Sequence, residues 1–402
     1  MRIMHCVFIF LFSVFECPGQ ESIDISTERD IYIAGETLEY HAGYFLDQKM
    51  IPKPLSKVLY VELITNAGIK IAQTKCCFFD STISGKLLIP ADTRSGNYYL
   101  RAYTKYMRNY SPDTYGYQMV SIVNPFSAEV LQDLDEFDGN VNDSQFYKAE
   151  TNGLTISGRL EGAANHLPQE GTELSISTVS DASYFSITET DAAGNFAFEL
   201  PWDLRNTEFT ISVDGYEQGE LRILIDSEYC NKNIQLEYIP FGIKNESEVL
   251  GLVHQFQKEV QRNPNRQDSI TPSPSIPFYG KPGRVIYEKD YIELKSIGEF
   301  IFELLYEFKY VESSDFLYPT GNFSLKFSPV LVLLDNNRVY DIRSFLKLPA
   351  RAVNRFEIIR GGYIIGGKSF GGVLNVITEQ GDMAGFMNQT ERFYFKFGTA
   401  CQ

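Results

Sequence analysis

A mostly β fold is what the sequence predicts: two antiparallel β-sandwich domains followed by a small α+β domain. Three observations predict it. Runs that alternate with period two, such as Val58-Leu59-Tyr60-Val61-Glu62-Leu63-Ile64 and Tyr98-Tyr99-Leu100-Arg101-Ala102-Tyr103, recur between Gly, Asn and Ser turn signals. The chain has 25 Tyr and 30 Phe against one Trp, and 44% of its 402 residues are hydrophobic. That is enough for two or three cores at roughly 100–200 residues per domain. Toward the end the alternation gives way to helix-like apolar spacing and one continuous apolar run, Pro329-Val-Leu-Val-Leu-Leu334.

Residues 1–19 read as a secretory signal peptide. Arg2 and His5 open it, a nine-residue apolar run from Val7 to Phe15 follows, and Cys17-Pro18-Gly19 places small residues for cleavage before Gln20. The run is too short to span a bilayer. The chain is therefore expected to be exported and to reside in the periplasm or on the outer membrane, peripheral to the bilayer.

Residues 20–125 form the first expected sandwich, with turn signals at Ala34-Gly35, Asn66-Ala67-Gly68, Ser84-Gly85 and Ser95-Gly96-Asn97. An acidic linker, 126–152, follows. Its Asp-rich core fails as a calcium loop, because the glycine falls one place late and Ser144 sits where a bidentate Glu is needed. Residues 153–226 form the second sandwich, with strands at Leu154–Gly158, Leu174–Ser177, Asn195–Glu199 and Phe209–Val213. Residues 227–262 are expected to hold a connecting strand and a helix, with Val249, Leu250, Leu252, Val253, Phe256 and Val260 at helical spacing. A Pro/Ser-rich stretch, 263–283, reads as an extended linker. The last block, 284–386, combines two helical segments with strands around glycine pairs and is expected to be separable. A tail, 387–402, ends the chain.

The formal net charge is −16, from 36 basic and 52 acidic side chains. No basic cluster offers a face to phosphates, so nucleic acid is excluded as a partner. Four cysteines follow the cleavage site: Cys76, Cys77, Cys230 and Cys401. Their pairing is open, but Cys76 and Cys77 point to opposite faces of a strand, which disfavours a vicinal disulfide. They are expected to serve mostly as buried small apolar residues.

The motifs that could carry chemistry are few. Gly362-Tyr-Ile-Ile-Gly-Gly367-Lys368-Ser369 matches the phosphate-loop pattern in full, and Asp335 ends an apolar strand as a magnesium-binding Asp would. A phosphate loop needs a helix directly behind it. Here Phe370-Gly371-Gly372-Val373 follows, and two glycines cost a helix about 2 kcal/mol relative to alanine. No nucleotide is expected to bind. His41, His166 and His254 each stand alone, so no zinc pair forms, and no nucleophile elbow occurs. No catalytic residue, cofactor or metal ligand is assigned, and the chain is expected not to be an enzyme.

Several motifs carry a resemblance. Thr27-Glu-Arg-Asp-Ile-Tyr-Ile-Ala-Gly-Glu36 and Gly96-Asn-Tyr-Tyr-Leu-Arg-Ala-Tyr-Thr-Lys-Tyr-Met-Arg-Asn109 resemble the opening and closing of a macroglobulin domain of alpha-2-macroglobulin-like proteins, in the version seen in large exported proteins of Bacteroidota-type bacteria. The block 153–226 is similar to a carboxypeptidase-regulatory-like sandwich. The stretches 329–335, 353–362 and 369–378 resemble, in order and spacing, the plug of TonB-dependent receptors. The inhibitory macroglobulins' thioester motif is missing, so covalent trapping of proteases is not implied. Asn336-Asn337 stand where a plug usually turns on Gly. Only 16 residues follow Phe386, whereas 22 barrel strands of roughly 10 residues would need more than about 200, so the plug is expected to have no barrel of its own.

The resemblance implies a binding or scaffold protein of the cell envelope. Its plug-like block would dock onto an outer-membrane β-barrel or other envelope protein, and the sandwiches would act as spacers. The alternative it implies is an accessory subunit of TonB-dependent nutrient uptake that engages a ligand or a separate transporter. The candidate partner-binding turns are Gly361, Gly362, Gly366, Gly367, Gly371 and Gly372, where bare backbone can approach a partner closely.

Overall fold

The computed structural model describes residues 19–133, 146–162, 170–179, 183–202, 204, 208–213, 221–232, 234–242, 246–262, 276–291, 294–321, 325–381 and 392–396. The expected signal peptide and the Asp-rich core of the acidic linker lie outside them. The chain is mostly β, as the alternation predicts. It divides into two units: residues 1–151 with 232–257, and residues 152–231 with 258–402. Among the described residues no helix is long and apolar enough to cross a membrane.

The first unit is a two-sheet sandwich. One sheet pairs β1 (Glu21–Thr27), β3 (Thr37–Leu46), β4 (Lys49–Met50) and β7 (Thr82–Leu88). The other runs in the order β2 (Ile31–Ile33), β9 (Gly116–Val123), β8 (Gly96–Tyr103), β5 (Val58–Ile64) and β6 (Lys70–Cys77). Every residue of β5 is buried, although alternation alone predicts one wet face. The returning stretches account for this: Lys57 N–H donates to the Glu150 carbonyl, the Tyr60 hydroxyl donates to the Glu150 carboxylate, and Leu236 N–H donates to the Asn66 carbonyl. The charged members of that second face are then paired, with Arg101 Nε on Glu62 Oε2 at 2.9 Å.

The connecting segment also differs from expectation. Its described residues before α1 form no strand; the stretch lies against the sheet through Asn97 Nδ2 on the Ile239 carbonyl and the Tyr99 hydroxyl on the Glu237 carbonyl. Helix α1 (Glu246–Arg262) then packs Val249, Leu252, Val253 and Phe256 against Ile33 and Val123, while Leu250 is exposed. Cys76 and Cys230 are buried, and Cys76 carries a free thiol. Cys77, on the opposite face of β6 from Cys76, is disulfide-bonded, so not every cysteine is simply an apolar filler.

In the second unit, β13 (Asn195–Leu200), β10 (Leu154–Gly162) and β15 (Leu221–Ile225) form one sheet. A second holds β12 (Phe185–Glu189), β11 (Glu173–Thr178), β14 (Glu208–Val213) and β23 (Arg392–Lys396). The expected tail thus contributes a strand, since Glu208 pairs with Lys396 through Ser212 with Arg392. The last block builds a five-stranded sheet in the order β16 (Arg284–Tyr287), β21 (Val353–Ile365), β22 (Lys368–Thr378), β19 (Leu331–Leu334) and β20 (Asn337–Arg338). A two-stranded ribbon, β17 (Phe308–Val311) with β18 (Phe316–Pro319), and helices α2 (Ile297–Leu304) and α3 (Ile342–Leu346) complete it.

Sequence reading separates this block from the second sandwich, yet the two share a core. Phe185 and Ile187 of β12 cluster with Tyr279, Leu331, Leu333, Phe370 and Val373. The end of the expected Pro/Ser linker joins in: Pro277–Gly280 turns on itself, Phe278 stacks on Phe185 with centroids 5.1 Å apart, and Tyr279 is buried. Its Pro/Ser composition hid two aromatic anchors. The turn after β19 is also displaced from expectation, because Asp335 and Asn336 are its central residues, at φ 47° and 67°, and Asn337 already opens β20. Asp and Asn tolerate the left-handed region that such a two-residue hairpin requires.

Candidate functional site

The motif that mimics a phosphate loop is the tip of a β-hairpin. Gly366 and Gly367, at φ 56° and 75°, are the two central residues of the turn, and Ile365 pairs with Lys368 across it. Two successive positive φ angles match a hairpin turn and no helix follows. Lys368 is bonded instead to Glu173 and Glu189, at 2.8 and 2.7 Å. Those carboxylates hold its ammonium pKa above the ordinary lysine value. Asp335 is buried and accepts the backbone N–H and hydroxyl of Thr378, each at 2.8 Å. Both side chains are thus engaged within the fold.

The other glycines divide between packing and a cleft. The β21–β22 ladder shifts register between Arg360 and Tyr363, opposite Gly372 and Phe370. One extra residue on β21 makes a bulge there, and Gly361 supplies its positive φ of 101°. Gly362 lies under Leu325, with space for a Cβ only if that side chain moves. At Gly371 a Cβ would come within 2.6 Å of Pro319 and of the Ser328 carbonyl, and at Gly372 within 2.7 Å of the Ile359 carbonyl. A Cβ on Gly361 would meet nothing within 4 Å.

Gly361 and Gly371 border a cavity of about 440 Å³ whose other walls include Phe308, Pro319 and Thr320. Its polar groups come from Tyr306, Glu307 and Arg360. Helix α2, capped by the Ser296 hydroxyl accepting the Glu299 N–H, ends with the Leu305 N–H donating to the Ile301 carbonyl. The chain then passes straight into Tyr306 and Glu307. The Thr320 hydroxyl on the Tyr306 carbonyl (2.6 Å) and the Thr320 N–H on the Glu307 carbonyl (2.8 Å) fix that pair to the end of β18.

Glu307 is the anchor, its side chain 1% exposed. It accepts Arg284 Nη1 at 2.8 and 3.0 Å, through both oxygens, and Arg360 Nη2 at 2.6 Å. Burial alone would push its carboxyl pKa up, but the bonds from Arg360 and Arg284 outweigh it and hold the pKa below the usual carboxylate value. Both guanidinium carbons lie 4.9 Å from the Tyr306 ring centroid, a cation–π arrangement. Arg360 remains 56% exposed. Two cations share one carboxylate, so this cleft is locally positive.

Of the six glycines singled out in the sequence, Gly361 and Gly371 line this cleft and Gly361 also makes its bulge, Gly362 and Gly372 are packed against Leu325 and the Ile359 carbonyl, and Gly366 and Gly367 of the hairpin tip are not among its walls. Sequence reading missed Arg284, Tyr306 and Glu307. Arg360 sits beside the Gly-Gly pair that signals the bulge, but Arg284 meets it only through the pairing of β16 with β21, which brings Arg284 opposite Ile358, and Glu307 only through the end of α2 and its bond to Thr320. Among the described residues no group of three or more His, Cys, Asp or Glu side chains is placed to hold a metal ion.

No protein-family model matches the chain, and no curated protein does. Among solved structures it is similar to native Escherichia coli alpha-2-macroglobulin, at 11% identity over 51% of this chain and 14% of that one, with a TM-score of 0.21. It is similar to methylamine-reacted Salmonella alpha-2-macroglobulin at 13% identity over 52% and 14%, TM-score 0.22. The trypsin-activated Escherichia coli protein matches at 10% identity over 94% and 22%, TM-score 0.20. This chain therefore spans less than a quarter of the length of each of these proteins. At such TM-scores the likeness carries nothing about activity. The carboxypeptidase-regulatory and plug resemblances rest on the sequence motifs alone.

Proposed function

We propose that the chain is a non-enzymatic, exported binding protein of the cell envelope that docks onto an outer-membrane protein through its last block. The observation that carries this reading is the cleft at the β21 bulge, where Arg360, Arg284 and the Tyr306 ring converge on one buried carboxylate. Arginine and tyrosine are the side chains that dominate recognition surfaces, because they combine large apolar area with fixed polar groups. Tyr306 is 67% exposed, and Phe302 and Phe327 of the same block are 86% and 83% exposed. The sandwiches add rigid β structure suited to a spacer. A second reading, an accessory subunit of TonB-dependent uptake, draws on the size of the cavity, which falls within the roughly 300–1,000 Å³ of small-molecule sites.

The test is purification of the full chain, produced with its own leader, from detergent-solubilised outer membrane. Co-purification of a stoichiometric β-barrel protein with the wild type, and its loss from a folded Arg360→Glu variant, is the expected result. A protein recovered without any envelope partner, or a partner retained equally by both forms, overturns docking through this block.

A further inference from the structure

We propose that the bulge cleft binds a carboxylate carried on an apolar or aromatic body, with the carboxylate on the Arg360 guanidinium and the body against Tyr306 and Pro319. This rests on reading the cleft as a binding surface. Arg360 has five N–H donors in a planar fork that matches a carboxylate. Nη2 is committed to Glu307 and the side chain also bonds Tyr306, while the Arg360 side chain as a whole is more than half exposed. Glu307 is too deeply buried to be displaced cheaply, so it works as a fixed brace for both arginines. The pair leaves one positive charge in excess within a chain of net charge −16, which selects for an anion at this place.

The backbone is shaped to the same end. Bulges re-aim the side chain beside them, and here the bulge begins at Arg360. A Cβ on Gly361 would meet nothing within 4 Å, and the absence of a Cβ on Gly371 lets Pro319 approach the strand closely; all three line the cavity with Arg360. Phe308 and the Tyr306 ring supply apolar surface next to the charge. A group with one anionic end and a flat or aliphatic remainder satisfies both kinds of wall; a phosphate or a bare inorganic ion uses only one.

Calorimetry on the full-length protein tests this with two probes, 3-phenylpropionate and the peptide acetyl-Gly-Gly-Phe with a free C-terminus, each beside its amide. The acids are expected to bind and the amides to bind at least tenfold more weakly, since a charge-assisted bond accounts for about a tenfold change or more. Arg360→Ala should weaken the acids by about tenfold or more in a protein that still melts cooperatively, with Arg284 left to pair Glu307. Glu307→Gln should tighten them, because it removes the competing charge; a merely structural role for Glu307 would not. Binding of both acids assigns the site to free organic acids, and binding of the peptide alone assigns it to a partner's chain end. Failure of both acids to bind, equal binding of acid and amide, or indifference to Arg360→Ala overturns the proposal. If the envelope partner still co-purifies in that event, docking stands and only the carboxylate chemistry falls.

Discussion

Replacing Leu333 by alanine should lower the melting midpoint of the second sandwich together with that of the block that contains Leu333. Leu333 is 0% exposed in β19 and belongs to the cluster that also holds Phe185 and Ile187 of β12. A buried Leu→Ala change typically costs 2–5 kcal/mol, and about 3 kcal/mol suits a site walled by strands that cannot collapse. For a unit of roughly 200 residues, each kcal/mol moves the midpoint by about 2–4 °C, so a fall of about 6–12 °C is expected. The chain's single tryptophan makes the assay selective. Trp202 lies two residues beyond β13, in the sandwich and not in the mutated block. Fluorescence of Trp202 and far-ultraviolet circular dichroism should therefore report the same lowered midpoint for this unit. A Trp202 transition that keeps its wild-type midpoint while part of the dichroism melts early would show that the sandwich and the last block are independent, and would refute the shared core.

Two further outcomes follow from the ion pairs. Because the carboxyl pKa of Glu307 is depressed from its ordinary value near 4.5, its stabilisation is complete above that value and is lost as pH falls through the lower, folded one. The melting-point gap between the wild type and Glu307→Gln should thus close below about pH 4.5, and a gap constant from neutral to strongly acidic pH would sink the ion-pair account. Lys368→Ala should cost under about 1 kcal/mol, since the lysine is partly exposed and its two carboxylate bonds are screened. ATP titrations should be flat for both proteins; micromolar binding abolished by this substitution would revive a phosphate loop.

Much of the fold was legible because its signals are local. The periodicity of β5, β8, β10, β11, β13 and β14 and the turn glycines place strands without knowledge of their partners. The helical spacing of Val249, Leu252, Val253 and Phe256 foretells the packed face of α1. Errors arose where tertiary contact overrides composition. Phe278 and Tyr279 are two residues in a Pro/Ser stretch, and only the cluster they join reveals them as anchors. The strand at 392–396 is short and gains its meaning from β14, far upstream. The candidate site shows the same division. Its glycines were visible as a pattern, but Glu307 lies next to Arg284 and Arg360 only after three separate strands and the end of a helix have assembled.

The pairing of β14 with β23 has a consequence for the order of events during folding. Glu208 finds Lys396 only after the whole of the last block has been spanned, so this contact closes late and costs more loop entropy than any hairpin in the sandwich. Until it closes, β14 presents a row of unsatisfied backbone donors and acceptors. A chain emerging in pieces passes through a stage with one adhesive strand edge bare, and a neighbouring copy in the same stage offers the same strand. The interval before β23 arrives thus leaves this edge open to pairing with the wrong molecule.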